Sequence, residues 1–177
     1  NYVDDSETSG GTLGEAVDAP ALTWTTGGSA NWFRQTSTTH DGSDAAQSGD
    51  IADSQESWMQ TTVTGPGTLS FWWKVSSESN YDWLRFFVGD VLQSGSLSGE
   101  VNWQQSSVYL SSGAHTLKWQ YSKDGSVSAG SDCGWVDQVV WTPDAPPCTL
   151  TVNSSNPSSG VAITSTTEHG GTTEYAR

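Results

Sequence analysis

The run Gly67-Thr-Leu-Ser-Phe-Trp-Trp-Lys-Val-Ser-Ser77 alternates with a period of two. Phe71, Trp73 and Val75 fall on one side of an extended chain and Trp72 with Lys74 on the other, because successive strand side chains point to opposite faces. Gly65-Pro66-Gly67 bounds the run upstream and Ser-Ser-Glu-Ser-Asn80 downstream, both of them turn chemistry. The same texture extends outward in both directions: Trp58 to Val63 precedes it, and Trp83 to Val88, Gln104 to Leu110, His115 to Tyr121 and Gly134 to Trp141 follow. Short strands at close spacing predict an all-β fold, a two-sheet antiparallel β-sandwich of the jelly-roll type. Ten Trp against a single Met, in a chain of 177 residues, argue against an all-α alternative.

The edges of this pattern predict the domain limits. Residues 1–12, with Asp4, Asp5 and Glu7 before a Gly pair, read as a solvated linker. A jelly-roll sandwich is expected over 13–142, its first strand opening in Leu13 to Trp24. Residues 143–148 form a Pro-rich linker. Residues 149–177 are too few to bury a core, and read as the truncated start of a second β module, with strand candidates at Leu150 to Val152 and Val161 to Ile163.

Twenty acidic residues against six basic ones give a formal charge of −14, a field that opposes a phosphate backbone. Nucleic acid is therefore excluded as the expected partner. No apolar run approaches the ~18 residues of a membrane span, and the N-terminus lacks the basic-then-apolar form of a signal, so a mature or trimmed soluble piece is expected. Cys133 and Cys148 could close a loop whose disulfide would contribute on the order of 3 kcal/mol in an oxidising compartment. Two separate buried thiols are the alternative.

Only one face of each sheet is needed for the core. The other carries Trp72 and Lys74, then Trp83, Arg85 and Phe87, then Lys118 and Gln120. Flat rings beside hydrogen-bond donors suit a sugar, whose C–H groups lie on the ring while its hydroxyls bond the polar groups. Trp72, Lys74, Trp83, Arg85, Lys118 and Gln120 are accordingly the candidate binding residues. Covering of the rings by the N-terminal segment or a long loop is the alternative.

A second constellation is acidic: Glu15 and Asp18 open the domain, Asp41 and Asp44 flank a Gly turn, and Asp137 interrupts the last apolar strand. A carboxylate in such a strand calls for a partner, and Ca2+ would take two or three carboxylates with carbonyls of the Asp41-Gly42 turn. Glu15, Asp41, Asp44 and Asp137 are the candidate metal ligands. The alternative has Asp41 and Asp44 capping turns and Asp137 bonding backbone amides. His40, His115 and His169 have no nucleophile turn or phosphate loop beside them, so no catalytic residues are expected.

Taken together, Gly67 to Ser77, Asp82-Trp-Leu-Arg-Phe-Phe-Val88, Gly113-Ala-His-Thr-Leu-Lys-Trp-Gln-Tyr121 and Gly134-Trp-Val-Asp-Gln-Val-Val140 resemble the bacterial MAM-like, concanavalin-like jelly-roll modules. These are similar in layout to the carbohydrate-binding modules of secreted multidomain proteins. The resemblance implies a structural calcium joining Glu15, the Asp41 turn and Asp137. It also implies a non-catalytic module of a secreted or cell-surface bacterial protein, part of a larger chain, that binds a polysaccharide. A MAM-like protein-interaction or adhesion module of a surface array is the other role it allows. The chain departs from the pattern where Val-Asp-Gln-Val stands in place of two adjacent acids, and it lacks the vertebrate MAM cysteines.

Overall fold

The computed structural model describes residues 11–146 and the two-residue strands at 162–163 and 171–172. The chain divides into two compact units, Asn1–Asp144 and Ala145–Arg177. In the first, a short helix α1 (Leu13–Ala16) precedes β1 (Thr25–Gly28), β2 (Phe33–Gln35), β3 (Ala45–Gln47), β4 (Glu56–Ser76), β5 (Trp83–Val88), β6 (Val91–Leu92), β7 (Glu100–Ser122) and β8 (Cys133–Pro143). In the second, β9 (Ala162–Ile163) pairs antiparallel with β10 (Gly171–Thr172). The strand expected at Leu150 to Val152, residues 1–10 of the linker expected over 1–12, and Cys148 lie outside the described residues; Thr12, at the end of that expected linker, instead caps α1.

The layout follows from two long strands that turn a corner together. β4 and β7 stay paired along nearly their whole length, and their register slips between Gly65 and Gly67. On one side of the corner, residues 56–65 of β4 run beside 113–122 of β7, flanked by β1 on one side and by β5 and β6 on the other. We call this the first sheet. Beyond the corner, residues 67–76 lie between 100–110 of β7 and β8, with β3 and β2 following. This is the second sheet. Glycine is required at the fold line, since a side chain at Gly65 would meet the Ser111 carbonyl and one at Gly67 the Thr142 carbonyl.

The two sheets face each other across one core. Phe71, from the second sheet, meets Trp119 edge-on at 5.1 Å and Phe86 at 4.9 Å, both from the first. Met59, Leu69, Val75, Leu84, Leu117 and Tyr121 are buried around them. Removing a ring such as Phe71 from this packing costs about 3–5 kcal/mol.

Two local expectations are corrected. The segments Trp58 to Val63 and Leu69 to Val75 are one strand, as are Gln104 to Leu110 and His115 to Tyr121, because pairing continues through the bend on both partners. Leu13 does not open a strand: Thr12 accepts from the Glu15 N–H, and the Glu15 carboxylate accepts from the Thr12 N–H, a capping box that starts α1.

Candidate functional site

Strand register assembles the outer face of the first sheet in three rows. Gly27, Trp58, Gln120 and Arg85 lie side by side across β1, β4, β7 and β5. Thr25, Gln60, Lys118 and Phe87 form the next row, and Glu56, Ser122 and Trp83 the third. Trp58, Trp83 and Phe87 are all partly exposed on this side, as are Gln60, Arg85, Lys118 and Gln120. The Trp58 ring lies over Gly27, whose missing side chain leaves room for it.

These side chains hold one another in place. The Arg85 guanidinium sits 5.3 Å from the centre of the Trp83 ring, and the Lys118 ammonium 4.8 Å from that of Phe87, as attraction to the negative ring face favours. Arg85 also donates to Ser122 Oγ at 3.1 Å, and Gln120 donates to Glu56. Partial burial draws the Arg85 guanidinium below its usual pKa. A shallow cleft of about 440 Å³, lined by Ala21 to Thr23, Thr25 and Gln60 to Thr62, continues the face at the β1 edge.

Trp72 and Lys74 do not belong to this surface. The alternation expected of them is correct, since Phe71, Trp73 and Val75 are buried while Trp72 and Lys74 are not. However, they lie beyond the corner, on the outer face of the second sheet, which points away from the first. Trp72 is capped there by His40, whose ring stacks on it at 3.8 Å and 15° and meets Trp103 at 5.8 Å. Lys74 faces Trp135 at 5.8 Å, and the Trp135 Nε1 donates to Gln47. The structure thus brings together four of the six candidate binding residues, Trp83, Arg85, Lys118 and Gln120, keeps Phe87 on the same face as expected, and adds Trp58 and Gln60.

The acidic residues also regroup. A bulge in β8 sets Gln138 and Val139 opposite Phe71, with Gln138 at φ 49°. This bulge turns Asp137 outward beneath the His40 loop, where it is fully buried. Its Oδ2 accepts from the N–H groups of His40 (2.7 Å) and Asp41 (3.3 Å), and its Oδ1 from Gln138 (2.7 Å). Gln138 Oε1 lies 2.6 Å from His40 Nδ1 and fixes the capping ring. Carboxylate oxygens of Asp18, Asp41 and Asp137 lie within 4.8 Å of one another. Asp18 comes into this group at φ 59°, on a loop held to β8 by the Val139 N–H donating to the Val17 carbonyl.

Two proposed ligands are otherwise engaged. Glu15 serves the α1 capping box, and Asp44 pairs with Arg34 at 2.6 Å. Burial raises the Asp137 carboxyl, against the pull of the backbone N–H groups of His40, Asp41 and Gln138. Burial also raises Asp18, reinforced by the charges of Asp41 and Asp44. The donor set is all oxygen, and three N–H bonds leave Asp137 with one acceptor position to spare, which suits a hard divalent cation.

No protein-family model matches the sequence, and no curated protein matches it. Among solved structures it is similar to the secreted serine protease VesC from Vibrio cholerae, at 16% identity and TM-score 0.51, over 64% of this chain and 24% of that one. The chain therefore spans about a quarter of VesC. It is also similar to the K1 cleaved adhesin domain of Lys-gingipain from Porphyromonas gingivalis, at 15% identity and TM-score 0.48, over 69% and 91% of the two chains. A carbohydrate-binding module in complex with beta-1,4-galactotriose aligns at 13% identity and TM-score 0.46, over 81% and 99%. At such identities the likeness to VesC shows the β-sandwich fold alone.

Proposed function

We propose that this chain carries a non-catalytic, extracellular carbohydrate-binding module whose glycan lies along the outer face of the first sheet. The observation that carries this reading is the interleaving of Trp58, Trp83 and Phe87 with Arg85, Lys118 and Gln120 on a face the core does not use. Sugar C–H groups would stack on the rings. The guanidinium, ammonium and amide would donate to hydroxyls or to an acidic substituent. A calcium ion on Asp18, Asp41 and Asp137 would brace the opposite sheet and stay remote from the glycan. Glycan-array binding of the full chain tests the reading: saturable binding to defined polysaccharides supports it, and an array blank in calcium contradicts it.

A groove of about 240 Å³ between β6 and β7 favours a second reading, a protein-interaction module. It is lined by Val88, Val91, Val108, Tyr109 and Leu110, and Val91 and Tyr109 are 66% and 62% exposed. Such a module would bind a protein partner through this edge and leave the array blank. No helix among the described residues is long and apolar enough to cross a membrane.

A further inference from the structure

A second group of acids lies at the strand ends away from the Gly65 corner, where β4 runs into β5 and β7 stops. Glu78 and Asp82 come from the connection between β4 and β5, and Asp124 from the chain just after β7. Carboxylate oxygens of the three lie within 4.8 Å of one another. Asp82 is fully buried, and its Oδ1 accepts from the Asp124 N–H at 3.0 Å. Its Oδ2 is also buried and has no hydrogen-bond partner among the described residues, and the same is true of Glu78 Oε2. Buried carboxylate oxygens are normally satisfied, so two orphans in one cluster need a physical account.

The nearby cation does not supply it. Lys123 is 7% exposed, and its ammonium is taken by Asp132, by Ser128 Oγ at 2.6 Å and by Asp53 at 3.5 Å. Burial raises the Asp82 carboxyl, against the pull of the Asp124 N–H and Lys123, and the adjacent Asp132 carboxylate, close enough to share a proton with it, raises it further. Burial raises Glu78 too, reinforced by Asp124, Asp82 and Asp53 and partly offset by Lys123.

The surrounding backbone is already fixed in position. Ser77 Oγ donates to the Asp82 carbonyl and accepts from the Gly99 N–H, while Ser98 Oγ donates to the Glu78 carbonyl. Asp124 Oδ1 accepts from the Ser126 N–H at 3.0 Å. The loop is therefore held with its carboxylates together by bonds that do not involve the orphan oxygens.

We propose that Glu78, Asp82 and Asp124 bind a hard divalent cation of the calcium type. The donors are all carboxylate oxygens, with no His or Cys to favour a softer metal. The ion would tie the β4–β5 connection to the end of β7 and fix the chain immediately before Trp83. This inference does not rest on the glycan reading.

Terbium, a calcium-sized ion excited through tryptophan, is the probe, with Trp83 next in sequence to Asp82. The test uses the chelator-stripped full chain carrying Asp41→Asn to disable the other acidic group. Terbium luminescence should still saturate, calcium should displace it, and adding Asp82→Asn should weaken binding at least tenfold. If Asp82→Asn does not fold, the less buried Asp124→Asn and Glu78→Gln should each weaken it severalfold. The proposal is overturned if Asp41→Asn alone abolishes binding, or if the three substitutions leave terbium affinity unchanged. It is also overturned if Asp82→Asn raises stability without altering affinity, which would show a protonated buried carboxyl instead of a metal ligand.

Discussion

His40 lies flat on Trp72, ring centroids 3.8 Å apart, while its own N–H donates to Asp137 Oδ2 at 2.7 Å. One residue thus closes the outer face of the second sheet and holds the buried acid of the Asp18–Asp41–Asp137 group. Trp72 should behave as packing for that loop. Trp72→Ala is expected to lower stability by about 1–3 kcal/mol, from the lost ring pair and apolar area, and to leave glycan affinity unchanged. Urea denaturation beside a binding titration checks both halves; a large loss of affinity with unaltered stability contradicts it.

Calcium should stabilise the fold through Asp137. A ligand that binds only the native state adds RT ln(1 + [L]/Kd), about 2.7 kcal/mol at a hundredfold excess over Kd. Chelation should lower the melting temperature, and Asp18→Asn should weaken this response more than Glu15→Gln, which removes only a capping contact. An identical melt in chelator and in calcium would show that Asp18, Asp41 and Asp137 hold no metal.

The pH dependence follows from the buried acids. Burial holds Asp82, Asp137 and Asp18 above the ordinary 3.8 in the folded chain. Between 3.8 and their raised values the folded protein binds more protons than the unfolded one, so stability falls as pH rises through that window. Asp132 works in the opposite sense lower down: although burial pushes it up, Lys123, Tyr121 and Ser128 hold it below 3.8. Its contribution is present above 3.8 and is lost as pH falls through its depressed value. The metal-free protein should therefore be most stable in mildly acid solution, and saturating calcium should remove the decline toward neutrality. Thermal melts over about pH 4 to 8 check this; a chelated protein that gains stability steadily toward neutral pH contradicts it.

Burial first, then the charges of Asp132, Asp50 and Glu100, push the Cys133 thiol up to about 12. If it is a thiol, it should resist alkylation at neutral pH until the chain unfolds. The proposed Cys133–Cys148 bridge instead requires an intact mass two hydrogen atoms lighter and no alkylation after unfolding without reductant. Unfolded, unreduced protein that takes two alkyl groups would rule out the bridge.

Alternation within a strand was readable from sequence, and it placed Phe71, Trp73 and Val75 inside and Trp72 and Lys74 outside. Which layer a strand belongs to was not. β4 and β7 cross from one sheet to the other at the Gly65 corner, so Trp72 and Trp83 both face outward yet point in opposite directions. Periodicity reports a face and carries no information about a bend that both partners share. Trp58 was missed as a surface residue because only its strand, and not its face, was assigned. Thr12-x-x-Glu15 was the available signal that Glu15 is a cap rather than a ligand. Nothing in the sequence marks the Gln138 bulge that swings Asp137 under His40, because Gln at positive φ has no compositional signature.

The affinities of Trp83→Ala, Trp58→Ala and Trp72→Ala for the best glycan on the array, with each variant's stability measured alongside, decide which outer face holds the sugar. Trp83→Ala and Trp58→Ala should each lose roughly 1–3 kcal/mol of binding, as for aromatic stacking on other ring ligands, while remaining folded, and Trp72→Ala should bind like the parent. Unchanged binding by Trp83→Ala and Trp58→Ala, with the loss falling on Trp72→Ala, would place the glycan on the opposite sheet and contradict a site on the first.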